Sequence, residues 1–366
     1  MCGPRNRNIR SILNMRNRFV LGLALTALTG LTSIEANAAD QTLKAPPESA
    51  SKKAILQQNS DFFYPQLTLQ SSVSYAYSDQ NTLNLNGFLA LGAIFLGNIN
   101  ISKVNSSIYT FTESAYYPIS NRLQLVFNVP IVYRQSVYQI GGAGDASNSY
   151  SQATVSSGGP RLGDISFGGY YQIFKESKNW PSLTGSLLIT APTGINPYGI
   201  KVYQPDANNS NLTVPTSLPT GNGVWTLTPG LSFVATSDPA IFFGSVSYYY
   251  NLNKNFPDIS TTMGEIQPGE VALGNAFQYS LGVAFALNDR LSLSTSFADR
   301  IQSDTQIRTP GGPWTTLVGS GANVAIANVG MTYAFNSKTS LIMNLGAGIT
   351  SSAPSFQLTA TIPYNF

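Results

Sequence analysis

The chain has 366 residues and a formal net charge of +3, with 43% hydrophobic, 11% aromatic and only 10% charged residues, no His and one Cys. Without an imidazole, Ser–His and His–Asp proton transfer near neutral pH is excluded, and the usual His/Cys metal sets and disulfide frameworks are missing. Aromatic residues that outnumber the charged ones invert soluble-protein usage and suit a wall facing lipid.

In chain order, Arg5, Arg7, Arg10, Arg16 and Arg18 precede an apolar run from Phe19 to Ile34 and then Ala36-Asn37-Ala38-Ala39. This reads as a secretory signal over residues 1–39, with the mature start at Ala39 or Asp40. Met15 begins a more compact version of the same signal. The run is shorter than the roughly 20 apolar residues of a spanning helix, so any membrane crossing must be made by strands. The segment takes five Arg and Glu35 with it, leaving fifteen of the twenty basic and sixteen of the seventeen acidic residues. The mature chain is therefore close to neutral, and no nucleic-acid partner is expected. Residues 40–62 are polar, with Pro46-Pro47 and Lys52-Lys53, and read as a periplasmic extension.

From residue 63 the pattern is apolar alternation with a period of two. The predicted strands begin at Leu67–Tyr77, Val104–Tyr117 and Leu123–Arg134. They continue with Ile165–Ile173, Leu183–Ala191, Trp225–Phe233, Phe242–Tyr250 and Val271–Leu287. The last four are Leu291–Phe297, Val329–Phe335, Leu341–Ile349 and Phe356–Phe366. Short turns at Ser120-Asn121-Arg122, Lys178–Pro181, Ser237-Asp238-Pro239, Asn288-Asp289-Arg290 and Asn336-Ser337-Lys338 alternate with long connections. The longest of these, Pro192 to Asn222, is rich in Pro, Asn, Gly and Ser and reads as unstructured.

Twelve strands of about 9–11 residues, with alternating short and long connections, predict an all-β fold, a transmembrane antiparallel up-and-down β-barrel. Fourteen strands are the alternative, because Leu83 to Ile101 is apolar enough to add a hairpin. Phe88, Leu91 and Phe95 in that segment are otherwise candidates for a lid over the mouth. The faces opposite the apolar rows carry small uncharged groups, among them Gln124, Thr184, Thr226, Ser245 and Thr359. The charges assigned to the lumen are Glu113, Arg134, Asp164 and Arg300. A selective ion pore needs rings of one sign, so passage of uncharged solutes is the better expectation. No catalytic, cofactor-binding or metal residue is expected.

The C-terminus, with Tyr364 and a terminal Phe366, resembles the last-strand signature of Gram-negative outer-membrane proteins. That resemblance implies the lipid bilayer and the barrel assembly machinery as partners. Arg161-Leu162-Gly163-Asp164-Ile165, Ala191-Pro192-Thr193-Gly194, and Gly221 to Trp225 leading to Ser237-Asp238-Pro239 and Tyr248-Tyr249-Tyr250 resemble a more specific group. This is the outer-membrane family associated with the meta-pathway of phenol degradation, from about Tyr64 to Phe366. The resemblance implies a transporter near the barrels that carry fatty acids and aromatic hydrocarbons. In those an N-terminal segment plugs the lumen, so Ala54-Ile55-Leu56 and Phe62-Phe63 are plug candidates by analogy. The reading from another class is a structural or adhesive barrel acting through the loops Gly141–Gly159 and Pro192–Asn222.

Overall fold

The computed structural model describes residues 66–79, 103–140, 151–205, 213–237, 239–260 and 262–366. The expected signal, the 40–62 extension and the 83–101 segment lie outside these residues. Twelve long strands form the wall: β1 (Thr68–Ser78), β2 (Lys103–Pro118), β3 (Leu123–Ile140), β4 (Ile165–Phe174), β5 (Ser182–Ala191), β6 (Thr226–Ser237), β7 (Ala240–Asn251), β8 (Ala276–Ala286), β9 (Leu291–Gln302), β10 (Ala322–Ala334), β11 (Ser340–Gly348) and β12 (Phe356–Asn365). Each pairs antiparallel with its neighbours in sequence, and β1 pairs with β12 from Thr68↔Asn365 to Tyr77↔Phe356, so the sheet closes. Closure leaves no unpaired edge in hydrocarbon. Because β1 pairs directly with β2, from Thr68↔Tyr116 to Ser78↔Ser106, no hairpin stands between them and the ring has twelve strands rather than fourteen.

Register and exposure identify the two faces. Residues directly opposite one another across a ladder share a face, and the rows that carry Val73 (56% exposed), Leu281 (56%) and Val329 (62%) run round the outside. These are the apolar rows read from the sequence. Aromatic groups gather at both ends of this belt, as interfacial girdles do. At the long-connection end Tyr75 stacks on Tyr109 with centroids 4.8 Å apart and meets Phe356 at 5.6 Å. At the end bearing the C-terminus, Tyr364 meets Phe366 at 4.9 Å and Tyr333 meets Phe335 at 5.4 Å.

The short turns are built as their residues suggest. Asn288 Oδ1 accepts the amides of Arg290 and Leu291, both at 2.9 Å, and Asn336 Oδ1 accepts those of Lys338 and Thr339. Such side-chain-to-backbone bonds are why Asn opens tight turns. In the first turn Ser120 Oγ does the same for Leu123, at 3.0 Å.

The structure differs from the sequence pattern in three places. The expected strand Val271–Leu287 is two pieces: Gly269–Ala272 joins a small sheet with Lys254–Phe256, Gln306–Arg308 and Thr315–Thr316, and β8 begins only at Ala276. The break falls at Gly274, where a Cβ would sit 1.8 Å from the Ser303 carbonyl oxygen, so only glycine lets the chain pass. Second, β3 runs on to Ile140 and is flanked by a strand in three pieces, Ser151–Ser156, Arg161–Leu162 and β4. The interruption after Leu162 faces Pro130, which has no N–H to offer on that side, while its carbonyl still accepts Gly163 N at 2.8 Å. Third, the ladder slips at Gln172/Phe174 in β4, a bulge that turns Phe174 outward at 56% exposure.

Candidate functional site

The connection from β5 to β6 is not an open surface loop. Its Val214 and Leu218, both buried, pack with Val104, Tyr138, Ala153 and Val155, which face inward near the tops of β2, β3 and the 151–156 strand. Its Tyr198 and Val224 pack with Phe256, Ile259, Val271 and Leu273 of the segment joining β7 to β8. Burial in this cluster pushes the Tyr198 hydroxyl pKa up, which keeps it neutral. In a twelve-membered ring β2 and β8 are diametrically opposed, so the connection bridges the mouth from side to side. A short ladder, Val202–Tyr203 with Val214–Pro215, stiffens its middle.

A single carboxylate clasps the two arms of this bridge. Asp164 Oδ1 accepts Gly194 N at 3.0 Å and Oδ2 accepts Asn222 N at 2.6 Å. Thr220 Oγ1 donates to Leu162 O at 2.7 Å and accepts Ile195 N at 3.0 Å. Thr193 Oγ1 donates to Gly163 O at 2.7 Å, and Lys254 Nζ donates to Gly223 O at 2.8 Å. The arms touch here: a Cβ on Gly194 would lie 2.7 Å from Gly221 N, and one on Gly221 would lie 2.2 Å from Asp164 Oδ1. Gly194 and Gly221 are thus required by close approach of the two arms. Arg134, 4% exposed, adds a further tether, donating from Nη1 to Pro219 O at 3.2 Å.

Beneath the bridge lies a lumenal cavity of about 290 Å³. Ala76, Ile108, Pro130 and Val132 line it from β1–β3, while Thr190, Thr226, Tyr249, Asn251 and Arg300 line it from β5–β9, and Asp164, Thr220 and Asn222 form its roof. The Arg300 guanidinium lies over the Tyr249 ring at 4.1 Å, and Tyr249 donates to Gln278 Oε1 at 3.1 Å. Towards the C-terminal end the lumen holds two apolar clusters. Tyr116, Val126 and Tyr170 pack with Leu188 on one side, and Val234, Ile241, Phe243 and Ala284 pack together on the other. Phe243 lies over Gly282, whose Cβ would come within 2.4 Å of the ring.

Of the four charges expected in the lumen, Asp164 and Arg300 line this one cavity and Arg134 sits at its roof. Glu113 does not belong with them. It stands across from Ser71 and Val129 in the outward row that includes Phe111, and takes a hydrogen bond from Ser71 Oγ at 2.6 Å. The alternation of β2 decides this, since Thr112 and Ser114 occupy the inward positions on either side. Asp299, 6% exposed, is a second carboxylate in an outward row and accepts the Tyr279 hydroxyl at 3.0 Å. In both places a hydroxyl donor offsets the cost of a carboxylate facing lipid. The lid candidates Phe88, Leu91 and Phe95 lie outside the described residues. Tyr249 and Thr220 were not anticipated: each reads as one more tyrosine or threonine in a repeating pattern. Among the described residues no group of three or more His, Cys, Asp or Glu side chains is placed to hold a metal ion.

An apolar belt on a closed antiparallel ring is the architecture of the barrels that span Gram-negative outer membranes. No protein-family model matches the chain. Among solved structures it is similar to the TodX deltaS2S3 mutant monoaromatic hydrocarbon channel, at 10% identity over 87% of this chain and 96% of that one, with a TM-score of 0.41. It is similar to the CymD monoaromatic hydrocarbon channel at 11% identity over 83% and 89% of the two chains, again with a TM-score of 0.41. The translocator domain of the autotransporter NalP from Neisseria meningitidis shares 8% identity over 88% of this chain and all of that one, TM-score 0.41.

Proposed function

We propose that this barrel is a gated outer-membrane channel for the passive passage of small uncharged or apolar solutes, aromatic compounds among them. The observation that carries the reading is the cavity of about 290 Å³ lying between a bridge clasped by Asp164 and two apolar clusters below. A compartment of this size suits one small molecule. Ala76, Ile108, Pro130 and Val132 give it apolar surface among small polar groups such as Ser74 and Thr110, and the charge around it is sparse, which supports selection by size and polarity rather than by a ring of like charges. A general porin would need an open mouth, whereas here the β5–β6 connection spans it. The resemblance of the 161–165, 191–194 and 221–250 motifs to the phenol meta-pathway family accords with an aromatic solute.

Single-channel conductance in a planar bilayer tests the gate. The protein is expected to carry little steady current, and Asp164→Asn, which replaces an acceptor oxygen by an amide that must face an N–H, is expected to open a larger and noisier conductance. A large steady current from the unaltered barrel, unchanged by the substitution, would overturn the gated reading in favour of a general porin. Uptake of benzyl alcohol by cells deficient in their own porins tests the passage. Uptake that rises on expression supports it, and uptake equal to that of cells lacking the barrel refutes it.

A further inference from the structure

We infer that the lumenal cavity holds a small solute with an apolar body and one anionic, carboxylate-type head, and that Arg300 receives the head. This inference rests on the channel reading above for the cavity and its bridge, and departs from it in the solute, which here carries one charge for Arg300 to meet. Its first support is the mixed lining of the cavity: Ala76, Ile108, Pro130 and Val132 give apolar surface interleaved with Ser74 and Thr110, and Arg300 with Tyr249 stands on β9 and β7. A hydrocarbon would leave the Arg300 guanidinium without an acceptor. The second support is the state of Arg300. Among the described residues no carboxylate lies within ion-pair distance of it, its Nε is buried without a hydrogen-bond partner, and its guanidinium rests on the face of Tyr249.

An arginine that braced the wall would be expected to meet a carboxylate or carbonyl, as Arg134 meets Pro219 and Arg308 meets Glu270. The one acid lining the cavity, Asp164, is engaged by the bridge amides of Gly194 and Asn222 and makes no ion pair with Arg300. A cation withdrawn from bulk water without an acceptor is costly, whereas a planar guanidinium resting on a ring is prepared for a carboxylate. The third support is Asn222, whose Oδ1 is also buried at the cavity roof without a partner and offers an acceptor to a hydroxyl on the same solute. The head therefore meets a donor at Arg300, and the ring or chain behind it lies against the β1–β3 side.

Calorimetric titration of the full-length barrel in detergent with benzoate, and separately with benzyl alcohol, tests the inference. Saturable benzoate binding is expected, weakened by about ten-fold or more in Arg300→Gln, as loss of a charge-assisted hydrogen bond predicts, with a lesser loss in Arg300→Lys. Benzyl alcohol is expected to be insensitive to either substitution. Folding of each variant is checked by the shift in gel mobility between unheated and heated samples. Benzoate that fails to bind, or that binds equally to Arg300→Gln, overturns the inference and leaves the guanidinium to water. Benzyl alcohol uptake without benzoate binding would sink this proposal while sparing the channel, and benzoate binding without solute uptake would spare the site while sinking the channel.

Discussion

Asp164 shows how much a single side chain decides here. Its two oxygens meet amides from chain segments 28 residues apart in sequence, Gly194 and Asn222, and Gly221 lies too close to admit a methyl group. Loss of one such charge-assisted bond costs about 1.5–3 kcal/mol, enough to shift a closed bridge towards an open one. Both Asp164→Asn and Gly221→Ala are therefore expected to loosen the bridge backbone enough for trypsin to cleave after the exposed Lys201 on intact cells, measured as the appearance of two fragments. A bridge that stays protease-resistant in both variants would show that the apolar packing of Val214, Leu218 and Val224 suffices without the clasp. Glu113 gives a prediction of the opposite kind. Because it faces lipid, Glu113→Leu should leave conductance and its response to Asp164→Asn unchanged, and should stabilise the barrel by about 1 kcal/mol in urea titration from vesicles. A change in ion selectivity would place the carboxylate in the lumen after all.

At the scale of elements, the wall hairpins and the long connections obey different rules. Each short turn is closed by local bonds such as those of Asn336 Oδ1 to Lys338 and Thr339, so Asn336→Ala should cost about 1 kcal/mol. It should also slow insertion of the refolding barrel into vesicles, followed by tyrosine and tryptophan fluorescence. An unchanged rate and midpoint would mean that pairing of β10 with β11 does not depend on the turn. The β5–β6 connection is stabilised instead by partners far away in sequence, from Val104 on β2 to Leu273 before β8. The interruption of the wall between β3 and β4 belongs to the same scale. Pro130 removes a ladder donor and Gly163 fits against it, and that gap is where Asp164 reaches the lumen.

At the scale of the molecule, closure depends on the seam between first and last strands. Thr68 Oγ1 donates to Asn365 Oδ1 at 2.8 Å, Asn365 N donates to Lys338 O at 2.8 Å, and Phe366 N donates to Leu67 O at 3.0 Å. Removing Asn365 and Phe366 deletes these bonds and the aromatic pair at the girdle. The shortened protein, refolded in detergent without assembly machinery, should lose about 2–4 kcal/mol of stability, seen as a lower temperature for loss of the compact gel band. Full stability in detergent with failure to assemble in cells would instead assign the two residues to recognition by the assembly machinery alone.

How much of this was legible in advance follows from the range of each interaction. Strand positions, the outward rows and the Asn-based turns were determined by the sequence, because alternation and turn chemistry are properties of neighbouring residues; twelve strands rather than fourteen followed only from the pairing of β1 with β2. Where a local device intervened, the pattern misled: Gly274 divides Val271–Leu287, and the bulge at Gln172/Phe174 alters the face of β4. The parity of β2 could have placed Glu113 outside, since Phe111 and Tyr117 share its phase in the sequence. The bridge over the mouth, the clasp at Asp164 and the meeting of Arg300 with Tyr249 were decided only by the tertiary structure. The Pro192–Asn222 segment has no period to read, and its partners are brought within reach only when twelve strands close into a ring.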